Sequence, residues 1–265
     1  MPPNPFVLIT PGATRGLGVA LTRQFLATTS LPVYASHRTT LSDNEISKHI
    51  LKNLGTNIDP KRLNLLKLDL TSEDSIKAAA DALGENLAQK GLLNPYLHTA
   101  FITGGILYPE KNPSQLDWDH IKESFQINTI SHLLIMKHFS QFLPGPTTAD
   151  LPAPAKWAHI TARVGSISDN HRGGWWSYRC SKAALNQAIK TFDIYLQQHK
   201  IQAICVGIHP GTVKTDLSKE FWASAAMNEP FTPNDAAMNL INVVENLSTY
   251  QRGKVWDWAG KEVHW

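Results

Sequence analysis

Two residues four positions apart, Tyr178 and Lys182, carry side chains suited to acid–base chemistry. They stand in the run Tyr178-Arg179-Cys180-Ser181-Lys182, which continues into residues typical of a helix. Four residues make about one helical turn, so the phenol and the ammonium project from the same face. A free tyrosine has a pKa of about 10, and a nearby ammonium lowers that pKa towards neutrality. The pair therefore predicts a general acid, although most such pairs on helices are exposed contacts without chemistry.

A glycine-rich turn occupies residues 12–18, directly after a short apolar run at 6–10. Gly12, Gly16 and Gly18 permit backbone angles that side chains disfavour, and they let a pyrophosphate approach the main chain. Three glycines alone form a weak signal, but a helical pattern follows, and the start of a helix offers free N–H groups. The turn therefore predicts a dinucleotide site. Its candidate ligand-binding residues are Gly12, Arg15, Gly16, Leu17 and Gly18.

The second predicted strand ends in Ala35-Ser36-His37-Arg38, where a dinucleotide fold reads the adenosine ribose. An acidic residue at this place would hold both ribose hydroxyls of NAD and repel an additional phosphate, but none is present. Arg38 and Arg15 instead provide planar, permanently charged donors that suit a 2′-phosphate. These residues favour NADP(H) as the cofactor. The alternative is that both arginines simply face solvent.

Short strand-like runs alternate with longer helical segments along the chain. This alternation predicts an α/β fold in which a single Rossmann-type domain, residues 1–265, has a doubly wound parallel sheet of about seven strands with helices on both faces. The predicted strands cover 6–10, 31–36, 63–68, 97–103, 155–161, 202–209 and 254–257, and the helices lie near 17–28, 42–54, 72–89, 114–143, 177–199 and 233–246.

The composition of the 265 residues narrows the class of protein. With 42% hydrophobic and 18% charged residues the chain can bury a core, which excludes a disordered or fibrous protein. A net charge of +3 is too small to favour nucleic acid as the main partner. Cys180 and Cys205 follow no metal-ligand spacing, so we expect no metal site and a reducing compartment. Without a signal peptide pattern or an apolar run of bilayer length, we expect a cytoplasmic protein that contacts no membrane.

The order of these features resembles the short-chain dehydrogenase/reductase family over nearly the whole chain. The glycine turn, the Tyr-x-x-x-Lys helix and residues 209–215 after the sixth strand carry the resemblance. Residues 165–178 and 253–262 are most similar to the branch related to bacterial C-factor and to carbonyl reductases. The resemblance implies that Tyr178 protonates a substrate carbonyl oxygen and that Lys182 lowers its pKa and binds the nicotinamide ribose.

The resemblance also implies roles for four further residues. Val213 and Thr215 would hold the nicotinamide carboxamide, and Asp69 would bind the adenine amine. Asn128 would support a water relay through the lysine. Two alternatives stay open: Asp69 as the cap of the following helix, and Asn128 as a polar residue that bends its helix.

The turn and the fourth strand depart from the family pattern at two places. Pro11 precedes Gly12 where the family usually has threonine. The fourth strand ends in Ile102-Thr103-Gly104-Gly105-Ile106 where the family usually has Asn-Asn-Ala-Gly, so Thr103 replaces an asparagine. Small residues still allow close packing beneath a cofactor, so Thr103 and Gly104 remain candidate cofactor-binding residues.

The end of the fifth strand departs from the pattern at a catalytic position. Ala162 stands where the family has the second of two serines, which positions the substrate carbonyl. Alanine has no donor, and loss of such a donor costs a few kcal/mol of transition-state stabilisation. Thr161 and Ser166 are the candidate substitutes. Strand alternation points Thr161 away from the Ala162 face, so Ser166, in the loop beyond a glycine, is predicted to be catalytic.

The favoured hypothesis is an NADP(H)-dependent oxidoreductase that reduces a ketone or aldehyde, or oxidises the alcohol, by hydride transfer with Tyr178 as general acid or base. The alternative is a catalytically weak NADP(H)-binding sensor or scaffold, which Ala162 and Thr103 favour and which Tyr178, Lys182 and Asn128 oppose. A serine hydrolase is less favoured than both, because the chain contains no Gly-x-Ser-x-Gly motif.

The expected partners are a small-molecule carbonyl or alcohol and, by the family resemblance, further copies of the chain in a homodimer or homotetramer. The helices near 114–143 and 177–199 would form that interface.

Residues 216–230, after the sixth strand, form either a mobile lid over the ligand or a packed connection.

Overall fold

One mixed β-sheet runs through the computed structural model, which describes residues 4–55, 57–145, 148, 151–222 and 229–265. Part of the predicted lid segment, 223–228, lies outside these ranges. The strands are β1 Asn4–Thr10, β2 Val33–His37, β3 Leu63–Lys67, β4 Pro95–Ile102, β5 Ala155–Ile160, β6 Ala203–His209, β7 Val255–Asp257 and β8 Glu262–Val263.

The strand order in the sheet is β3-β2-β1-β4-β5-β6-β7-β8. Strands β1 to β7 pair in parallel, and β8 pairs antiparallel with β7. The order reverses direction between β1 and β4, and a ligand crevice forms at the carboxyl ends of strands at such a switch point. The predicted parallel α/β sheet is confirmed, with eight strands rather than seven. The additional strand has only two residues and returns through a tight turn, in which Gly260 has φ +75°.

Helices cover both faces of the sheet. The helix predicted near 114–143 is helical from Trp118 to Phe139, but a π-helical turn at Gln126–Ile130 interrupts its α-helical hydrogen bonding. No helix in the described part of the chain has both the length and the apolarity needed to cross a bilayer. The α-helices are α1 Gly16–Thr28, α2 Asp43–Leu51, α3 Glu73–Gln89, α4 Trp118–Phe125, α5 Ser131–Phe139, α6 Trp176–Gln198 and α7 Pro233–Asn246.

Each face of the sheet carries its own apolar layer. Side chains such as Phe6, Leu97 and Trp157 pack with α3, α5 and α6 on one face. Val7 and Val206 pack with α1, α2 and α7 on the other. Burial on both faces explains why the central strands are almost continuously apolar, and it leaves the strand ends as the place for polar chemistry.

Candidate active site

A cavity of about 1050 Å³ opens at the carboxyl ends of the parallel strands. The loops that follow β1 to β6 and the first turns of α6 line it. Ligand sites usually have about 300–1,000 Å³, so this cavity has room for a large ligand. Most of the predicted site residues line it, namely Gly12, Arg15, Gly16, Leu17, Gly18, Arg38, Asp69, Thr103, Gly104, Tyr178, Lys182, Val213 and Thr215. Asn128 and Ser166 lie outside this lining.

The glycine turn brings α1 close to β1. Gly16 has φ +59°, in the left-handed region that favours glycine. A Cβ at Gly18 would lie 2.3 Å from the carbonyl oxygen of Pro11, so a larger residue would push the helix from the strand. No side chain caps α1 at Arg15, and the first turn contains no acid. The helix start therefore keeps N–H groups for an anion, despite the unusual proline.

The two arginines proposed for a 2′-phosphate differ in their contacts. Arg15 Nη1 lies 3.1 Å from Asp216 Oδ2, and this ion pair joins the glycine turn to the loop after β6 across the cavity opening. Both side chains are exposed. Arg38 lines the cavity, is exposed, and makes no ion pair within the described ranges. Arg38 is therefore the better placed of the two to receive a phosphate.

Asp69 lies in the loop just beyond β3 rather than on the next helix. Its Oδ1 accepts hydrogen bonds from Thr71 N–H at 2.9 Å and Thr71 Oγ1 at 2.8 Å. The backbone hydrogen bond from Thr71 is the main cause that lowers the pKa of Asp69, and the charge of Arg38 adds to it. Ser72 caps α3 instead, so the alternative that Asp69 caps this helix is wrong. The carboxylate of Asp69 accepts its hydrogen bonds from Thr71 instead.

Tyr178 and Lys182 stand together on the cavity side of α6. Tyr178 is 8% and Lys182 is 2% exposed. Lys182 Nζ donates to the carbonyl oxygen of Ile160 at 3.0 Å and lies 5.9 Å from the centre of the Tyr178 ring. Burial lowers the pKa of Lys182 to about 7 and raises the pKa of Tyr178 above its usual value. The expectation of a lowered tyrosine pKa is therefore wrong for this structure, because desolvation outweighs the neighbouring amine.

Asn128 lies behind this pair, in the π-helical turn. Its Oδ1 accepts from Ile106 N–H at 2.8 Å, and its Nδ2 donates to Ile106 O at 2.9 Å and to Ser181 Oγ at 3.0 Å. Asn128 is fully buried. These bonds hold the loop after β4 against α6, beside Lys182. The alternative of a polar residue in a distorted helix also fits, because Asn128 lies within the π-helical turn itself.

The residues around Ala162 leave the family's serine position without a hydroxyl. Ala162 lines the cavity at the end of β5. Thr161 Oγ1 donates to Asn186 Oδ1 at 2.7 Å, as the strand alternation predicts. Ser166 is 2% exposed, and its Oγ lies 3.2 Å from Ser168 Oγ and accepts from Asp169 N–H at 3.1 Å. The placement of Ser166 therefore speaks against its predicted catalytic role, because the loop turns its hydroxyl towards its own backbone.

Thr103 ties β4 to the glycine turn. Its Oγ1 donates to Pro11 O at 2.6 Å, and its N–H donates to Thr10 O at 2.8 Å. The threonine that replaces the family's asparagine thus still makes a sheet contact at this place. Thr103 and Gly104 both line the cavity directly after the end of β4.

Sequence reasoning assigned no role to several polar residues of the cavity wall. His37 and His209 line the cavity, and each has a buried Nδ1 without a hydrogen-bond partner among the described residues. Burial lowers the pKa of His209 to about 4. Arg163 also lines the cavity and pairs with the buried Asp257 at 3.2 Å. Their positions at the ends of predicted strands could have identified them as candidate site residues from the sequence. No cluster of three or more metal-ligating side chains occurs in the part of the chain that the structure describes.

The lowered pKa of Lys182 makes the stability of the protein depend on pH. Below about pH 7 both the folded and the unfolded chain hold the lysine proton, so the full cost of burying the charge is present. Between about pH 7 and the ordinary lysine pKa of 10.5, only the unfolded chain holds the proton, so the free energy of unfolding rises with pH. We expect Lys182→Met to stabilise the cofactor-free protein by roughly 1–3 kcal/mol more at pH 7 than at pH 9.5. Urea unfolding of both proteins at the two pH values measures this difference.

An exposed lysine serves as the matched control. Lys67, at the end of β3, is exposed, and Lys67→Met should change stability equally at both pH values. An equal effect of Lys182→Met at both pH values would show that the buried lysine keeps an ordinary pKa.

Known proteins are similar to this chain in sequence and in fold. The family model for short chain dehydrogenase matches residues 5–226. The 1-hydroxy-2-glutathionyl-2-methyl-3-butene dehydrogenase of Rhodococcus sp. (strain AD45) is 32% identical over 198 residues, which cover 75% of this chain and 78% of that protein. The C-signal protein of Myxococcus xanthus is 31% identical over 150 residues, which cover 57% of this chain and 81% of that protein.

A solved structure adds a match over the full length. The NADPH-bound carbonyl reductase from chicken fatty liver has a TM-score of 0.80 and 28% identity, covering 100% of both chains. Together with the C-signal match, it confirms the branch that the sequence resembles.

Proposed function

Because this chain belongs to the short-chain dehydrogenase family, we propose that it is an NADP(H)-dependent oxidoreductase that reduces a ketone or aldehyde and oxidises the alcohol in reverse. The observation that carries the proposal is the buried pair of Tyr178 and Lys182 on the wall of the large cavity. A phenol and an amine held out of water beside a dinucleotide turn suit proton transfer to a carbonyl oxygen.

The residues of the cavity fit NADP(H). The uncapped start of α1 suits a pyrophosphate, and Arg38, without an ion pair to any described residue, suits the 2′-phosphate. When bound, the nicotinamide supplies or accepts the hydride. By the family resemblance, Asp69 contacts the adenine, and Val213 and Thr215 contact the carboxamide. The matching chicken carbonyl reductase binds NADPH.

Tyr178 supplies the proton for the carbonyl oxygen in this proposal. Burial raises its pKa, so the phenol holds the proton to be transferred at neutral pH. Lys182 has a pKa of about 7, so its amine takes and releases a proton near neutral pH. The lysine is therefore suited to restore the tyrosine proton after each turnover. Asn128 holds the neighbouring loop in place for this exchange.

The proposal is tested by mixing the protein with NADPH and a panel of activated ketones, aldehydes, diketones and quinones. We expect absorbance loss at the nicotinamide band with at least one compound and a clear preference for NADPH over NADH. A protein that neither binds NADPH nor consumes it with any compound would contradict the proposal.

Restoring a hydroxyl at Ala162 should accelerate reduction. Ala162 lines the cavity, while the hydroxyls of Thr161 and Ser166 are bonded elsewhere. One oxyanion donor contributes about 100- to 1,000-fold to kcat in other enzymes, so we expect Ala162→Ser to raise kcat by roughly tenfold or more. Steady-state kinetics with the best panel substrate measures this change.

Ser166→Ala is the matched control for this prediction. From its placement, we expect the loss of the Ser166 hydroxyl to leave kcat within about twofold, whereas the catalytic role predicted from the sequence requires a loss of about 100-fold. An unchanged or lower rate in Ala162→Ser would mean that another group already holds the carbonyl oxygen.

A second candidate function is an NADP(H)-binding sensor or scaffold with weak catalysis. Ala162 favours it, because alanine has no donor and the hydroxyls of Thr161 and Ser166 are hydrogen-bonded elsewhere. Tight NADPH binding without turnover over the whole panel would support this function instead.

The partners of the protein follow from its surface and family. Ile130 and Leu133, and Ile194 and Tyr195 on α6, are apolar or aromatic side chains exposed at 40–45%. We propose that they pair two or four copies of the chain, and that the assembly works in the cytoplasm on a small carbonyl or alcohol substrate. Light scattering measures the number of copies.

A further inference from the structure

A tryptophan and two histidines form a row of hydrogen bonds that ends on the cavity wall. Trp157 Nε1 lies 2.8 Å from His159 Nε2, and His159 Nδ1 lies 2.8 Å from His132 Nδ1. His132 Nε2 lies 3.0 Å from the carbonyl oxygen of Gly104. The three side chains are fully buried, two on β5 and one on α5, and Gly104 follows β4. The row thus connects the sheet and helix α5 to the cavity wall at Gly104.

The two ends of the row determine where its protons lie. An indole N–H only donates, so His159 Nε2 accepts and the ring carries its proton on Nδ1. That proton is donated to His132 Nδ1, which leaves the proton of His132 on Nε2. A carbonyl oxygen only accepts, so the bond to Gly104 requires the same arrangement. Both imidazole rings must be neutral. An additional proton on either ring would put two hydrogens between one pair of hydrogen-bonded nitrogens, which would repel each other.

The surroundings of the row favour neutral rings. Burial is the main cause that lowers the pKa of both histidines, to about 3 for His132. The nearby charge of Lys182 lowers both further. At neutral pH every hydrogen bond of the row is therefore donated in the same direction, from Trp157 towards Gly104.

The last bond of the row orients a peptide beside the catalytic pair. The C=O and N–H groups of a trans peptide point in opposite directions, so a Gly104 carbonyl held by His132 turns the Gly105 N–H away from α5. A Cβ at Gly105 would lie only 3.5 Å from Lys182 Nζ. Asn128 holds the next residue through both polar atoms of its main chain. The loop after β4 is thus fixed at successive residues where it meets the lysine.

We propose that Trp157, His159 and His132 are positioning residues that fix the Gly104–Gly105 peptide against Lys182. The cavity wall beside Lys182 thereby keeps one shape. The alternative is a polar cluster that only fills the core. The inference rests on the proposed function for its ligand, whereas its proton arrangement is independent of that function.

The proton arrangement is tested on the wild-type protein labelled with ¹⁵N-histidine. Long-range ¹H–¹⁵N spectra distinguish the two neutral forms of imidazole from the charged form. At about pH 7 we expect His159 with its proton on Nδ1 and His132 with its proton on Nε2. A charged ring, or the opposite form of either ring, would overturn the inference without any variant having to fold.

The positioning role is tested with two amides at position 132. A glutamine amide reaches about as far as the Nε2 of histidine, and an asparagine amide only about as far as Nδ1. We expect His132→Gln to keep the NADPH Kd within roughly threefold of wild type and His132→Asn to raise it about tenfold, because only glutamine still reaches Gly104. Fluorescence titration measures Kd, and thermal unfolding shows that both variants fold.

The outcomes separate this inference from the proposed function. Equal Kd values for the two folded variants would show a core-filling role and overturn the positioning role. If both variants fail to fold, Trp157→Phe provides a second test, because without the indole N–H only the Gly104 carbonyl still selects the proton arrangement. The Gly104–Gly105 peptide is then held less firmly, and the Kd should rise. A wild-type protein that binds no NADPH overturns both the proposed function and the positioning role, and the spectra still report the proton arrangement.

Discussion

Tyr178→Phe is expected to lower kcat for carbonyl reduction by about 100- to 10,000-fold, the usual contribution of a positioned general acid. The substitution removes one oxygen and keeps the ring. The ring lies 6.2 Å from that of Trp175 and 5.9 Å from Lys182 Nζ, so the packing of the cavity wall is retained. The NADPH Kd should therefore stay within about threefold of wild type, since the lost group acts on the substrate oxygen. Single-turnover kinetics and fluorescence titration measure the two quantities.

A second tyrosine on the same helix provides the control. Tyr195 is 44% exposed on α6, and Tyr195→Phe should leave both kcat and Kd unchanged. If Tyr178→Phe retained more than about a tenth of the wild-type kcat, another group would be the acid, and the central element of the proposed function would be lost.

Arg38→Ala is expected to weaken NADPH binding by about 10- to 100-fold while changing NADH binding little. A hydrogen bond to a charged group contributes roughly 1.5–3 kcal/mol, and each 1.4 kcal/mol corresponds to about a tenfold change in Kd. Arg38 is chosen over Arg15 because the guanidinium of Arg15 already pairs with Asp216. Titration of both nucleotides into wild type and variant gives the ratio of the two Kd values.

Arg172 supplies the comparison for this variant. It also lines the cavity, in the loop after β5, away from the end of β2. Arg172→Ala should leave the preference for NADPH unchanged. Parallel losses of NADPH and NADH affinity in Arg38→Ala would mean that this arginine does not read the 2′-phosphate.

The periodicity of the sequence was sufficient to predict the parallel sheet and most helices, because burial on both faces makes each strand a distinct apolar run. It did not reveal β8, since two residues carry no periodic signal. It also did not reveal the π turn at Gln126–Ile130, which leaves the residue types of a helix unchanged. Both features depend on contacts with distant parts of the chain.

The site was predictable to the extent that its residues follow strand ends. Tyr178 and Lys182 share the cavity because helical spacing puts them on one face. Their pKa values were not predictable, since burial depends on the layers that close around α6. The direction of the Ser166 hydroxyl was not predictable for a similar reason, because only tertiary structure shows that its loop turns the hydroxyl towards the backbone N–H of Asp169.

The short return strand β8 has a consequence for solubility. The last strand of an open sheet presents unpaired amides that can recruit another polypeptide and start aggregation. Here β8 covers β7 and exposes an edge of only two residues, and Lys254 and Glu262 form an ion pair of 2.7 Å across the hairpin. A short, charged edge is a poor template for further strands. We therefore expect the turn around Gly260 to hinder the addition of further strands at this edge of the sheet.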